Sequence, residues 1–394
     1  MTDFQKVIVL LIKSAIDESE ERIPQDINWN EVILFGKKHQ IISLLYYGVL
    51  FSKLQIDSDI KKTLENLTFQ YILRDQNQQY YVDKIQNAFE ENGIDYMPLK
   101  GTLLKHFYPK TEMRSMSDID ILIKTEQYDR IKPILQGLSF REEYQSNHEF
   151  GWKKNKSLIL ELHKSIIPTY NEDFYSCLGD GWGLARKSKD FEHRYVMSPE
   201  DEFIYNFVHT AKHYRDGGVG IRHIADFYIC KKRFNNLDNA YIEAELKKLQ
   251  LLEFYNNIKK TVSVWFENEK PSEVTDFITS YIFNSGSYGN KENRIIAEAV
   301  RESKKTRRSG DVKYKKLLRL IFLPFDKMCE KYPILIKLPV LLPVMWIVRI
   351  IVAIFTKKDV IRVQNAILKK TTAENIDSFQ QALNNVGLDF YPKE

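Results

Sequence analysis

The chain has 394 residues, 43% of them hydrophobic and 13% aromatic, which is too much apolar content for a disordered chain and enough length for two or three structural units. Its net charge of +5 comes from 58 basic and 53 acidic residues, too mild a surplus to demand a nucleic-acid partner. Cys177, Cys230 and Cys329 are far apart and odd in number, which matches neither a disulfide framework nor a Cys-x-x-Cys metal site and suits a reducing, cytoplasmic setting.

Residues 1–92 are expected to form an N-terminal helical region. Apolar residues fall three or four apart at Val7 and Leu11, Val32 and Phe35, and Ile42 and Leu45, with no sustained strand-type alternation. The run Val7 to Ile12 is short and is followed by Lys13 and an acidic tract, so it reads as an amphipathic helix and not as a secretory signal.

Residues 93–196 carry the α/β signals. Gly93 to Leu99 reads as a short strand that enters Lys100-Gly101-Thr102 and then an apolar-periodic helix, Leu103 to Phe107. A glycine at such a turn lets backbone N–H groups approach an anion, and the helix dipole adds partial positive charge, so this turn is a candidate phosphate cradle. Arg114-Ser-Met-Ser-Asp-Ile-Asp-Ile-Leu-Ile-Lys124 follows, with Asp118 and Asp120 two residues apart in a β-like run. Strand side chains alternate, so both carboxylates share one face while Ile119, Ile121 and Ile123 take the other. Adjacent carboxylates repel unless a cation neutralises them, and hard oxygen ligands suit Mg²⁺ bound together with phosphates. A solvated strand end gives the same spacing; the cradle upstream is what favours a site. A helix is expected from Glu126 to Gln136, kinked or interrupted by Pro133. Ser157 to His163 is a second strand pattern, with Ile159, Glu161 and His163 on one face and Leu158, Leu160 and Leu162 on the other. Glu161, flanked by leucines, needs a partner, and a metal shared with Asp118 and Asp120 would be one; Glu149 is the reserve candidate.

Residues 197–394 read as a C-terminal helical region that opens at Ser198-Pro199-Glu200, where Ser caps and Pro fits the first turn, and is interrupted near Ser285 to Asn290. His209 and His213 have the spacing of a zinc pair, but Thr210 stands where a metalloprotease carries Glu, so packing or a substrate-facing role is expected. Arg222 and Asp226, four apart, read as a helix-surface pair. Lys304 to Arg308, with Lys313, Lys315 and Lys316, reads as a solvated linker or helix end. Ile334 to Phe355 contains Lys337 and Arg349 and is broken by Pro339 and Pro343, so its uncharged stretch falls short of the ~20 residues a membrane span requires. Buried helices joined by proline turns are expected there, with an interfacial hairpin making peripheral membrane contact as the alternative.

Taken together, these residues resemble the nucleotidyltransferase superfamily with a DNA polymerase beta-like catalytic core, and within it a bacterial branch of uncharacterised nucleotidyltransferases. The resemblance is carried by Leu99-Lys100-Gly101, Tyr108-Pro109, Arg114 through Asp120, and Glu161-Leu-His163. Weaker matches lie at Trp29 to Leu45, at His209 and His213 leading to Arg222 and Asp226, and at Tyr332-Pro333 through Trp346 to Arg349. The resemblance implies an α+β fold, a small mixed-sheet core flanked by N-terminal and C-terminal helical regions. It also implies two Mg²⁺ ions, with Mn²⁺ as a substitute, and a nucleoside triphosphate such as ATP as donor. The expected reaction moves a nucleoside monophosphate to an acceptor hydroxyl on a small molecule, peptide, protein or RNA, releasing pyrophosphate. Asp118, Asp120 and Glu161 would then be the metal ligands, and Lys100, Gly101, Thr102, Arg114 and Ser117 would bind nucleotide. His163, His209, His213, Arg222 and Asp226 would face the acceptor. The chain departs from the pattern in having Gly101-Thr102 where Gly-Ser is common and Glu161 where Asp is more usual. A catalytically silent nucleotide-binding sensor or scaffold is the alternative reading, but a protein that binds no metal gains nothing electrostatically by holding repelling carboxylates together.

Overall fold

Alternating apolar and polar residues in the middle of the chain build one mixed sheet from β1 (Tyr96–Pro98), β2 (Ile119–Ile123), β3 (Arg141–Gln145), β4 (Glu149–Asn155) and β5 (Leu158–His163). The spatial order is β1-β2-β5-β4-β3; β2 and β5 run parallel and the other neighbours antiparallel. The structure, a computed structural model, describes residues 1–234, 236–287 and 289, then 293–297, 300, 322–323, 325, 328–329, 332, 334–356 and 373–389.

The helices before the sheet are α1 (Asp3–Asp17), α2 (Trp29–His39), α3 (Ile42–Phe51) and α4 (Ser58–Glu91); α5 (Gly101–Leu104) and α6 (Tyr128–Gly137) lie within it. After it come α7 (Glu172–Leu178), α8 (Pro199–Arg215), α9 (Ile221–Arg233), α10 (Asn239–Lys248), α11 (Leu252–Phe266) and α12 (Glu273–Ser285). Ser198 caps α8 through its side chain, which accepts from the Asp201 amide, and Pro199 takes the first helical position.

One face of the sheet is apolar. Ile119, Ile121 and Ile123 join Leu158, Leu160 and Leu162, and this layer packs on Val82, Ile85 and Phe89 of α4 and on Ile131 and Leu135 of α6. Truncating one such buried side chain to Ala costs roughly 2–5 kcal/mol. The 34-residue α4, capped by Asp57, is about 50 Å long at 1.5 Å per residue and reaches the N-terminal helices as well, where Leu64 joins their core. The opposite face of the sheet carries the polar residues and looks toward α8 and α9.

Two expectations change. Pro133 is the sixth of the ten residues of α6, and it does not interrupt the helix, which runs on to Gly137: the one backbone donor lost in the interior is outweighed by the burial of Ile131 and Leu135 on either side. Ile334–Lys337 and Leu342–Thr356 are helices as expected, but they are buried only in part: Leu335 is fully buried and Trp346 donates to the Leu323 carbonyl at 3.0 Å, whereas Val344, Ile347 and Ile351 are each at least half exposed and Val340, in the turn between the helices, is 83% exposed. Among the described residues no helix is long and apolar enough to cross a membrane. The basic run from Lys304 to Lys316 lies outside the described residues.

Candidate active site

Asp120 on β2 and Glu161 on β5 stand opposite each other in the parallel register, so both project from the polar face. His163, two residues beyond Glu161, shares that face, and its Nε2 lies 2.6 Å from Asp120 Oδ1. The Lys100 ammonium approaches the same oxygen at 3.0 Å. Lys100 reaches it from a turn with φ of +48° and ψ of −116°, a positive-φ conformation outside the left-handed helical well that costs a non-glycine residue on the order of 1–3 kcal/mol. That turn is fastened to β2 by the Leu99 amide, which donates to the Asp120 carbonyl at 3.0 Å. Gly101 follows; a Cβ there would lie 2.6 Å from Arg114 Nη1 and 2.9 Å from the Met116 side chain, so only glycine fits without displacing them.

These groups line a cleft of about 450 Å³ between the polar face of the sheet and α8 and α9. Asp118, just before β2, opens onto it, as do Glu149 and His148 from the start of β4. Ligand atoms of Asp120, Glu161 and His163 lie within 4.8 Å of one another, and so do those of His148, Glu149 and His163.

The carboxylates are unequally compensated. Burial pushes Asp120 up, but the Lys100 charge and the His163 hydrogen bond outweigh it and hold Asp120 well below the usual carboxylate range. Asp118 is pushed up to about 6 by burial and then by the charge of Asp120, against the pull of Lys100 and Arg222. Glu161 is pushed up to about 8 by burial and then by Asp118, Asp120 and Glu149. Burial lowers His163. Asp120 and Glu161 lie within ligand distance of each other, and Asp118 borders the same cleft and couples electrostatically to both without joining that group, so the oxygen donors suit a hard divalent cation such as Mg²⁺ or Mn²⁺.

Of the residues singled out in the sequence, Lys100, Gly101, Arg114, Ser117, Asp118, Asp120, Glu161, His163, His209, His213, Arg222 and Asp226 all border this cleft. Thr102 does not; it is buried beneath the turn, its Oγ1 without a hydrogen-bond partner. The expected surface pair of Arg222 with Asp226 is corrected. Asp226 is buried and accepts two bonds of 3.0 Å from Arg114 and one of 2.8 Å from the Tyr108 hydroxyl, while Arg222 Nη1 donates to the Ser115 carbonyl at 2.6 Å. Helical spacing does put Arg222 and Asp226 on one face, but that face packs against the 114–117 loop instead of facing solvent. The same loop is held from α4, where Arg74 donates to the Ser117 carbonyl at 3.1 Å and Gln78 to the Met116 carbonyl at 3.3 Å. His209 and His213 meet edge to face with ring centroids 4.3 Å apart; desolvation keeps both well below the ordinary histidine range. Among the described residues neither joins a group able to hold a metal.

Sequence reasoning missed His148, Lys212 and Tyr144. The Tyr144 hydroxyl lies 2.9 Å from Glu149 Oε1 and 3.1 Å from Glu161 Oε1. Its ring crosses β4 directly over Gly151, which pairs with Tyr144 on one side and Glu161 on the other. A glycine inside a strand signals such a close approach, and Gly151 was the available clue.

Residues 25–267 match a family model described as an uncharacterised nucleotidyltransferase. Among solved structures, that of the antibiotic-resistance factor ANT(2'')-Ia is similar at 13% identity, covering 50% of this chain and 100% of that chain with a TM-score of 0.32. No curated protein matches the chain.

Proposed function

Because the chain belongs to the uncharacterised nucleotidyltransferase family, we propose that it transfers a nucleoside monophosphate from a nucleoside triphosphate, ATP among the candidates, to an acceptor hydroxyl. Asp118, Asp120 and Glu161 would hold two Mg²⁺ ions, replaceable by Mn²⁺, which when bound neutralise the triphosphate and favour in-line attack at the α-phosphorus. A bond forms from the acceptor oxygen to the α-phosphorus, the bond from that phosphorus to pyrophosphate breaks, and Glu161 takes up the hydroxyl proton. The observation that supports this reading most is the register of β2 against β5, with Asp120 opposite Glu161.

The remaining residues divide by what they touch. Lys100 and His163 keep Asp120 ionised and oriented. The Gly101 backbone and the Ser117 hydroxyl are assigned to phosphate oxygens. Arg114 acts as a positioning residue, since both of its bonds to Asp226 order the loop that ends at Asp118. His209, His213 and Arg222 form the wall assigned to the acceptor, which is a small molecule, peptide, protein or RNA.

The test supplies each α-labelled nucleoside triphosphate with Mg²⁺ to the full chain in an extract of the source organism, with Asp120→Asn as control. Label is expected on one acceptor class, and only with the unaltered chain. Triphosphate binding with no label on any acceptor would overturn the proposal in favour of a silent sensor.

A further inference from the structure

Glu149, the first residue of β4, pairs directly across the sheet with His163, the last of β5, and His148 precedes it in a segment tied to β5 by the Lys164 amide, which donates to the His148 carbonyl at 2.8 Å. The hydrogen bonds of the two imidazoles fix where each carries its proton. Asp120 is an acceptor, so the 2.6 Å contact puts a proton on His163 Nε2, and a neutral His163 then carries its lone pair on Nδ1. His163 Nδ1 is buried, makes no hydrogen bond, and lies 3.5 Å from Glu149 Oε2. On His148 it is Nδ1 that lies 3.2 Å from Ser165 Oγ, and the Ser165 hydroxyl spends its own proton on the Ile167 carbonyl at 2.8 Å. Ser165 must therefore accept from His148 Nδ1–H, which leaves the lone pair on His148 Nε2, 4.0 Å from the same Glu149 Oε2.

Two nitrogen lone pairs thus converge on one carboxylate oxygen with no proton to separate them. We propose that His148, Glu149 and His163 form a site for a borderline transition metal, Zn²⁺ in the first instance, beside the carboxylates assigned to Mg²⁺. Two imidazoles and one carboxylate are a softer set than Mg²⁺ selects and the set that Zn²⁺ takes. With bonds near 2.0 Å, tetrahedral ligands sit about 3.3 Å apart, so the Glu149 separations of 3.5 and 4.0 Å would close by roughly 0.2 and 0.7 Å, and all three ligand atoms already lie within 4.8 Å of one another. The supporting shell is present: each imidazole donates its outer N–H, to Asp120 and to Ser165, and the second Glu149 oxygen accepts from Tyr144 at 2.9 Å. Three protein ligands leave a fourth position open toward the cleft. His163 would join the two centres, ligating through one nitrogen while the other orients Asp120.

The test uses the full chain, stripped with a chelator and titrated with Co²⁺ as a visible-absorbing stand-in for Zn²⁺, without Mg²⁺ or nucleotide. The absorption bands of nitrogen-ligated Co²⁺ should saturate at about one equivalent and be lost on displacement by Zn²⁺, apart from any Co²⁺ held by the carboxylates. His148→Ala and Glu149→Gln, each checked for an unchanged melting curve, should weaken binding at least about 100-fold. Asp118→Asn should leave the bands intact. Bands that persist in both His148→Ala and Glu149→Gln, or that vanish in Asp118→Asn, would overturn the site. So would nitrogen NMR of the metal-free chain showing His163 protonated at both nitrogens, or failure of the unaltered chain to bind Co²⁺. None of these readouts involves nucleotide or acceptor, so failure here leaves the transferase proposal standing.

Discussion

Asp118 and Asp120 are equals in the sequence and unequal in the structure. Asp120 is paired with both Lys100 and His163, so Asp120→Asn leaves a buried ammonium without its partner and should cost about 3 kcal/mol of stability along with transfer activity. Asp118 is pushed up to about 6 and has no ion pair as close among the described residues, so Asp118→Asn should abolish transfer while leaving the metal-free chain as stable or more so. Melting curves without metal separate the two; equal melting points for both variants would contradict this asymmetry. Glu161 permits a sharper test. Its folded pKa of about 8 exceeds the ordinary glutamate value of 4.5, so its ionisation destabilises the fold progressively as pH rises between those values. The buried histidines, shifted downward, make the whole chain gain stability over part of the same range, so the informative quantity is a difference. Relative to the unaltered chain, Glu161→Gln should become steadily more stable from about pH 4.5 to about pH 8, measured by denaturant midpoint without metal. In the presence of Mg²⁺ the same variant should keep its triphosphate affinity and slow single-turnover transfer by on the order of 10²-fold. A flat difference curve with a normal rate would transfer the role to another carboxylate.

At the scale of elements, the loop from Arg114 to Asp118 decides where β2 presents its carboxylates, and it is fixed from α4 by Arg74 and Gln78 and from α9, more than a hundred residues away, by Arg222 and Asp226. Asp226→Asn removes the carboxylate that accepts two bonds from Arg114 and one from Tyr108, and should cost about 3–5 kcal/mol while lowering transfer, although Asp226 is not assigned to nucleotide. An unchanged melting temperature would show that the loop is held without it. The strands and the shared face of Asp120 and Glu161 were legible in the sequence because alternation has a period of two, and the cap of α8 was legible because Ser198-Pro199 is a local signal. The Arg114 pairing with Asp226 was not, because helical spacing tells which residues share a face but not what packs on it. Tyr144 was hidden for a similar reason: its partner across the sheet is set by the turn between β3 and β4, and only Gly151 hinted that a ring had to pass.

On the scale of the whole molecule, helices from both ends of the chain grip the loop beside the sheet, and the cleft opens between the sheet and α8. The helices at Ile334–Lys337 and Leu342–Thr356 present a different surface. Burial is expected there because Lys337, Arg349 and the two prolines leave the apolar stretch too short to span a bilayer, but the sequence cannot say how much of each helix finds a partner surface within the same chain. Val340, Val344, Ile347 and Ile351 recur three or four residues apart and are exposed, with Lys337 and Arg349 in the same segment. Such a face is too short to span a bilayer; were it to make the peripheral membrane contact that the sequence offers as the alternative, apolar burial would supply most of the affinity and Lys337 would add to it on an anionic surface. Burying one Val or Ile side chain contributes about 1.5–3 kcal/mol, so Val340→Ser or Ile347→Ser should each weaken binding to phosphatidylserine-containing vesicles by about 10-fold or more, while added salt weakens it less. Co-sedimentation of the full chain with vesicles reads both effects. If the unaltered chain stays in solution at every lipid concentration, the exposed face has some other occupant and membrane contact is ruled out; if salt alone releases it, the cations and not the apolar row are responsible.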